Sequence, residues 1–198
     1  MNPATHFLAS WFAADYSGFG RRDRILITLS GVLPDLDGLG AVPDTMNRLL
    51  GNPQTYYYSA FHHTLLHGLP AALLLPLLTV WAAKKRLRTW SMGVVAVHIH
   101  MLLDLVGSRG PRPADVWPVS YLAPFSERMT LSLSWQWQLN AWPNILFTVV
   151  LLLMVFRSAI TKGYTPIEML GQREETVFIQ DVRHRWEQIR KILPNQAL

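Results

Sequence analysis

The chain has 198 residues, half of them hydrophobic and only 16% charged, with a mean hydropathy of +0.16 and a formal charge of +5. Its length would suit one soluble domain, but the apolar residues gather in blocks separated by short basic clusters, the pattern of a multi-spanning membrane protein. No basic stripe interleaved with aromatics points to nucleic acid, and with no cysteine there is neither a disulfide framework nor a thiolate zinc site.

Five apolar blocks follow in chain order. The first covers residues 6–19 and the second 25–39, both short enough to be re-entrant or interfacial. His6 and Asp15 interrupt the first, so no cleavable signal peptide is expected. The third, 68–83, contains AALLLPLLTVWAA; the fourth is 90–106; the fifth, 143–156, contains ILFTVVLLLMVF. A span needs about 20 apolar residues, which makes the third and fifth the most convincing and gives three to five membrane segments in all. Beyond them, Phe178, Val182, Trp186, Ile189 and Leu193 recur at helical spacing amid charges. That pattern predicts an amphipathic helix, solvated or skirting the membrane. The expected fold is therefore all-α: an integral membrane helical bundle over residues 1–160, with a cytoplasmic amphipathic tail over 161–198.

Basic residues orient the blocks. Arg21, Arg22 and Arg24, then Lys84, Lys85, Arg86 and Arg88, then Arg157, Lys162 and the Arg-rich tail fall on one side. Only Arg48, Arg109, Arg112 and Arg128 fall on the other. The richer side is cytoplasmic by the positive-inside rule, so the C-terminus lies in the cytoplasm and the loop 107–142 faces outward.

Ionisable residues inside such segments are costly, about 2.5–3.5 kcal/mol for a central Asp. Placed on this topology, His6, Asp35, Asp37, His62, His63, His67, His100 and Asp104 come from four segments yet share the outer membrane level. His100 and Asp104 are four apart and share a helix face; His62 and His67, five apart, can converge only if a kink or helix start lies between them. Asp35 and Asp37 flank a probable turn at Pro34 and Gly38, where two carboxylates can converge on a cation or on a histidine's second nitrogen. Each piece alone has a plainer reading: a structural hydrogen bond, an interfacial helix start, a turn with capping acids. Their common level favours one metal site. Imidazole and carboxylate ligands suit Zn²⁺ first, or Mn²⁺ or Fe²⁺. Asp15 is read as structural, His98 falls on a different helix face, and His184 stands apart.

Thr5-His6, Gly31-Val-Leu-Pro-Asp-Leu-Asp37, His62-x-x-x-x-His67, His100-x-x-x-Asp104 and Trp117-Pro-Val-Ser-Tyr-Leu-Ala-Pro-Phe-Ser126 together resemble the LexA-regulated membrane-bound metal-dependent hydrolase family, over most of residues 1–130. The family's His-Arg-x-x-Thr-His pattern is altered, with His63 at the Arg position and Leu66 at the Thr, so either His62 or His63 can be the ligand. A more distant similarity to zinc-dependent phospholipase C implies phosphodiester or phospholipid hydrolysis, although its later zinc ligands have no counterpart, His184 being the only histidine after Asp104.

The expectation is a hydrolase of the bacterial inner membrane, acting on a lipid or membrane-linked substrate. Asp35, His67, His100 and Asp104 would hold a divalent metal, with His6 and His62 completing it or holding a second. Asp37 or His63 would act as general base or orient a ligand, and Arg109 and Arg112 would meet an anionic headgroup. The alternatives are a non-enzymatic metal-binding or ion-handling membrane protein using the same residues, and a polar cluster that only ties helices together.

Overall fold

The computed structural model describes residues 1–62 and 64–192. His63, expected at the site, and Leu193, expected on the tail's apolar face, lie outside the described residues. Helix α1 (Pro3–Tyr16) starts where the Asn2 side chain accepts from Thr5 N at 2.9 Å and Pro3 supplies a preset φ. It ends before Gly18, whose φ of +70° is the left-handed conformation that glycine adopts without strain. Helix α2 (Arg21–Val32) carries Asp23 in its first turn and tightens at Pro34 into a 3₁₀ stretch, Leu33–Gly40, which runs into α3 (Ala41–Leu49). The helical path does not stop at the expected turn; the missing N–H of Pro34 changes its winding instead.

Short helices α4 (Tyr57–Phe61), α5 (Leu69–Leu74) and α6 (Leu77–Val80) precede the long α7 (Arg86–Gly107). The third apolar block is thus corrected. Its helical part, Leu69–Val80, is too short to span and is interrupted before Pro76, which cannot donate a helical hydrogen bond. Among the described residues, three stretches are long and apolar enough to cross a membrane: Arg21–Leu49, Arg86–Gly107 and α8, Trp142–Thr161. In the loop after α7, β1 (Val119–Ser120) pairs antiparallel with β2 (Thr130–Leu131).

The chain forms two compact units, Met1–Leu146 and Phe147–Leu198. In the first, α1, α2 and α7 pack around buried Trp11, Ala14, Ile27 and Ala96. Small residues bring these backbones together, as is common between membrane helices. A Cβ on Gly31 would collide with the Ser10 hydroxyl of α1 and stand 3.2 Å from Ala96 Cβ of α7. One added to Gly93 would stand 2.8 Å from Pro76 Cβ. Towards the basic end, Arg24 pairs with Asp15 at 3.8 Å, lies over the Trp11 ring and donates to Phe19 O at 3.1 Å.

In the second unit a 3₁₀ turn (Pro166–Met169) leads from α8 to α9 (Gln172–Ile192), with Glu174 and Glu175 in its first turn and Arg190 and Lys191 in its last, matching the helix dipole. Phe178 of α9 lies 6.0 Å from Phe156, and Arg183 Nε donates to Ala159 O at 3.0 Å.

Gly31→Val should cost about 1–3 kcal/mol by overpacking the α1–α2–α7 crossing, seen as a lower thermal midpoint of the protein in detergent, with Gly31→Ala falling between.

Candidate metal centre

The N-terminal end of α1, the 3₁₀ stretch after α2, the linker before α5 and the C-terminal end of α7 meet at one buried cluster. His100 Nδ1 donates to Gly31 O at 2.8 Å, and His67 Nδ1 donates to Asp37 Oδ2 at 2.9 Å. A carbonyl or carboxylate partner requires the hydrogen on Nδ1, so in the neutral rings each Nε2 carries a lone pair. Those two Nε2 atoms face each other at 3.1 Å. Asp104 Oδ2 stands 3.1 Å from His100 Nε2 and 3.3 Å from His67 Nε2, and Asp35 Oδ1 stands 3.6 Å from His100 Nε2. Four acceptor atoms from three segments, the 3₁₀ stretch, the chain before α5 and α7, therefore converge. The second Asp35 oxygen, Oδ2, is buried with no hydrogen-bond partner.

The other Asp104 oxygen is crowded with donors. Ser108 Oγ donates to Oδ1 at 2.6 Å, the Met1 ammonium pairs with it, and His6 Nε2 lies 3.1 Å away. The His6 ring stacks on His100 with centroids 3.7 Å apart, while its Nδ1 is buried without a hydrogen-bond partner. Asp37 is fully engaged. Its oxygens accept from His62 Nδ1 at 2.7 Å, His67 Nδ1 at 2.9 Å and Leu66 N at 3.2 Å. That is the position of a carboxylate that orients imidazoles.

Outside the spanning segments, two groups register this field of acids. Burial alone would lower the pKa of His67, but its contacts with Asp104 and Asp37 outweigh it and push the value up to about 9. Tyr58 is pushed up to about 12 by burial and then by the charges of Asp104, Asp37 and Asp35, so its phenol stays neutral.

Three overlapping groups have the ligand spacing of a metal site: His6, His100 and Asp104; Asp35, His67 and His100; Asp37, His62 and His67. The sequence-predicted residues that are described thus lie together. His62 and His67 do so because residues 64–68 are non-helical, and their rings stand 5.4 Å apart. His98 lies apart, its Nδ1 2.8 Å from Val94 O and its Nε2 3.0 Å from the Tyr121 hydroxyl. A cavity of about 650 Å³ opens on the cluster, lined among others by Asp35, Tyr58, His62, Asp104, Arg109 and Trp117.

Sequence reasoning missed the braces. Gln136, fully buried, donates to Asp104 O at 2.9 Å, Leu105 O at 3.1 Å and Trp117 O at 3.2 Å, and accepts from Trp117 N at 2.9 Å. Asn144 donates to Gly107 O at 2.8 Å and Leu139 O at 2.9 Å. Gln136 sits in the alternating stretch L-S-L-S-W-Q-W-Q-L of residues 131–139 and Asn144 near the start of the fifth apolar block, and neither pattern marks a side chain that braces a helix end. Tyr58 and Ser108 were equally silent, although Ser108 stands one helical turn beyond Asp104. Gln136→Ala should strand these buried carbonyls at a cost of about 1–3 kcal/mol, read as a lower thermal midpoint with increased proteolysis of the loop 107–142.

A family model described as YdjM inner membrane protein matches residues 1–176. No curated protein and no solved structure matches the chain. On a match of that extent, and with three helices fit to span a membrane, the chain belongs to the YdjM inner membrane protein family.

Proposed function

We propose that this protein is a metal-dependent hydrolase of the inner membrane, acting at the outer membrane face on a phosphodiester, phospholipid or other membrane-linked ester. The observation that carries the reading is the approach of His67 Nε2 and His100 Nε2 to 3.1 Å, with Asp104 and Asp35 oxygens beside them. Lone pairs facing each other in a buried site repel unless a proton or a cation lies between them. The donor set, two imidazoles and two carboxylates, suits zinc, with manganese or iron as substitutes. His6 stacks on the set and is available to complete it.

A divalent cation there would acidify a water and polarise a phosphoryl or acyl oxygen. The chain's own residues supply the rest. Asp37 fixes the His67 ring and holds His62 by Nδ1, which makes His62, on the cavity wall, the group suited to take a proton from water and return it to the leaving oxygen. The tautomer set by Gly31 O keeps His100 Nε2 directed to the acids. The basic residues at the α2 and α7 starts support an outward site and a cytoplasmic C-terminus.

The test is elemental analysis of detergent-purified protein beside a His100→Ala/Asp104→Ala variant, followed by hydrolysis of a chromogenic phosphodiester and a labelled phospholipid. Stoichiometric metal in the wild type alone, with turnover lost in the variant, is the expected result. Metal without turnover favours a non-enzymatic metal-binding protein, and no metal in either leaves a polar network that ties helices together. Asp37→Asn, which keeps the size but loses one acceptor, should weaken metal affinity about 10–100-fold, measured by competition with a chelator.

A further inference from the structure

We infer that Arg109 makes the cavity a phosphate site, so that the substrate carries an anionic phosphate rather than a neutral carboxylic ester; this rests on the hydrolase reading above. Arg109 stands just beyond the end of α7, and its residue lines the same cavity as Asp35, Asp104 and Tyr58. Its backbone is fixed on both sides: N donates to Trp137 O at 3.1 Å, and O accepts from Leu139 N at 3.0 Å. Its side chain, by contrast, is unmatched. Nε is buried without a hydrogen-bond partner, and among the described residues the guanidinium has no ion pair, although two carboxylates border the cavity.

A buried guanidinium N–H without an acceptor is costly, and guanidinium geometry fits the oxygens of a phosphate two at a time. A phosphodiester has two non-bridging oxygens that share one negative charge. One can face the His–Asp cluster while the other accepts from Arg109. A neutral acyl ester offers its single carbonyl oxygen to the cluster and nothing charged to Arg109, so it would leave the guanidinium as unmatched as before. Arg112, expected from the sequence to meet a headgroup beside Arg109, is instead exposed and does not line the cavity, which makes it the control.

The phosphate can belong to a lipid headgroup or to a soluble diester, and the experiment separates the two. Calorimetric titration of the full chain in detergent would use dimethyl phosphate, short-chain phosphatidylglycerol below its micelle concentration, and acetate. Saturable binding of at least one phosphate probe and not of acetate, weakened tenfold or more by Arg109→Gln, partly restored in Arg109→Lys and unchanged in Arg112→Gln, would establish the site. Binding of the lipid alone assigns the phosphate to a headgroup; binding of dimethyl phosphate assigns it to the diester itself. Equal binding by wild type and Arg109→Gln, equal binding of acetate, or no binding of either probe to wild type would overturn the proposal. Metal content is measured on the same preparations. Wild type without metal that still binds phosphate through Arg109 overturns the hydrolase reading alone, whereas loaded metal with phosphate binding indifferent to Arg109 overturns the phosphate site alone.

Discussion

His67 Nε2 and His100 Nε2 stand 3.1 Å apart, both side chains are fully buried, and both rings have their other nitrogen committed to an acceptor. Unprotonated, such a pair repels, and Asp104 and Asp35 add negative charge beside it. With its pKa pushed up to about 9, His67 supplies the proton that joins the pair near neutral pH, and a bound cation would take that proton's place. Gly31 takes two roles in holding the site. Without a Cβ it lets α1 and α7 close on α2, and its carbonyl fixes the tautomer of His100. Asp37 performs the matching task for His67 from the 3₁₀ stretch, and Gln136 and Asn144 brace the end of α7 against the loop that follows it. A site held from four directions is preorganised, which is what ligand convergence requires.

Polarity is divided between the ends of the first unit. One end gathers the histidines and three aspartates; the other holds Arg24 with Asp15, and Arg88 over the Phe19 ring. Between them the α1–α2–α7 contact is made of Trp11, Ala14, Ile27 and Ala96, which exclude water. Charges in such surroundings interact more strongly than in water, so the unmatched acceptors of the cluster weigh heavily in its energetics.

Much of this arrangement was legible in the sequence, because the membrane removes a dimension from the problem. Once Lys and Arg give each segment a direction, every polar residue acquires a depth, and His6, Asp35, His67, His100 and Asp104 share one. The i,i+4 step between His100 and Asp104 then fixes their mutual geometry, and they stand 3.1 Å apart. The third apolar block misled for a local reason. Hydropathy averages over a window and does not register that Pro76 interrupts the helix after six residues of α5. The braces were illegible for the opposite reason: Gln136 and Asn144 act through backbone carbonyls, which no residue type announces. The role of Asp37 was half visible. Its spacing from Asp35 suggested a turn, but its grip on both His62 and His67 depends on the non-helical residues 64–68.

The end of α7 joins these features. A helix C-terminus presents carbonyls without intrahelical donors and carries a partial negative charge. Here that end bears Asp104 in its last turn and Ser108 and Arg109 immediately after it. Some of its carbonyls are met by Gln136 and Asn144, which satisfies the backbone while leaving the Asp104 Oδ2 atom to the imidazoles. The dipole and the carboxylate both favour positive charge at this point. Arg109, just beyond this helix end, stands where the dipole favours a cation, by about 0.3–1 kcal/mol, and its Nε keeps no hydrogen-bond partner. The same turn of chain therefore gathers acceptors for a cation on one side and leaves donors for an anion on the other, across a single cavity.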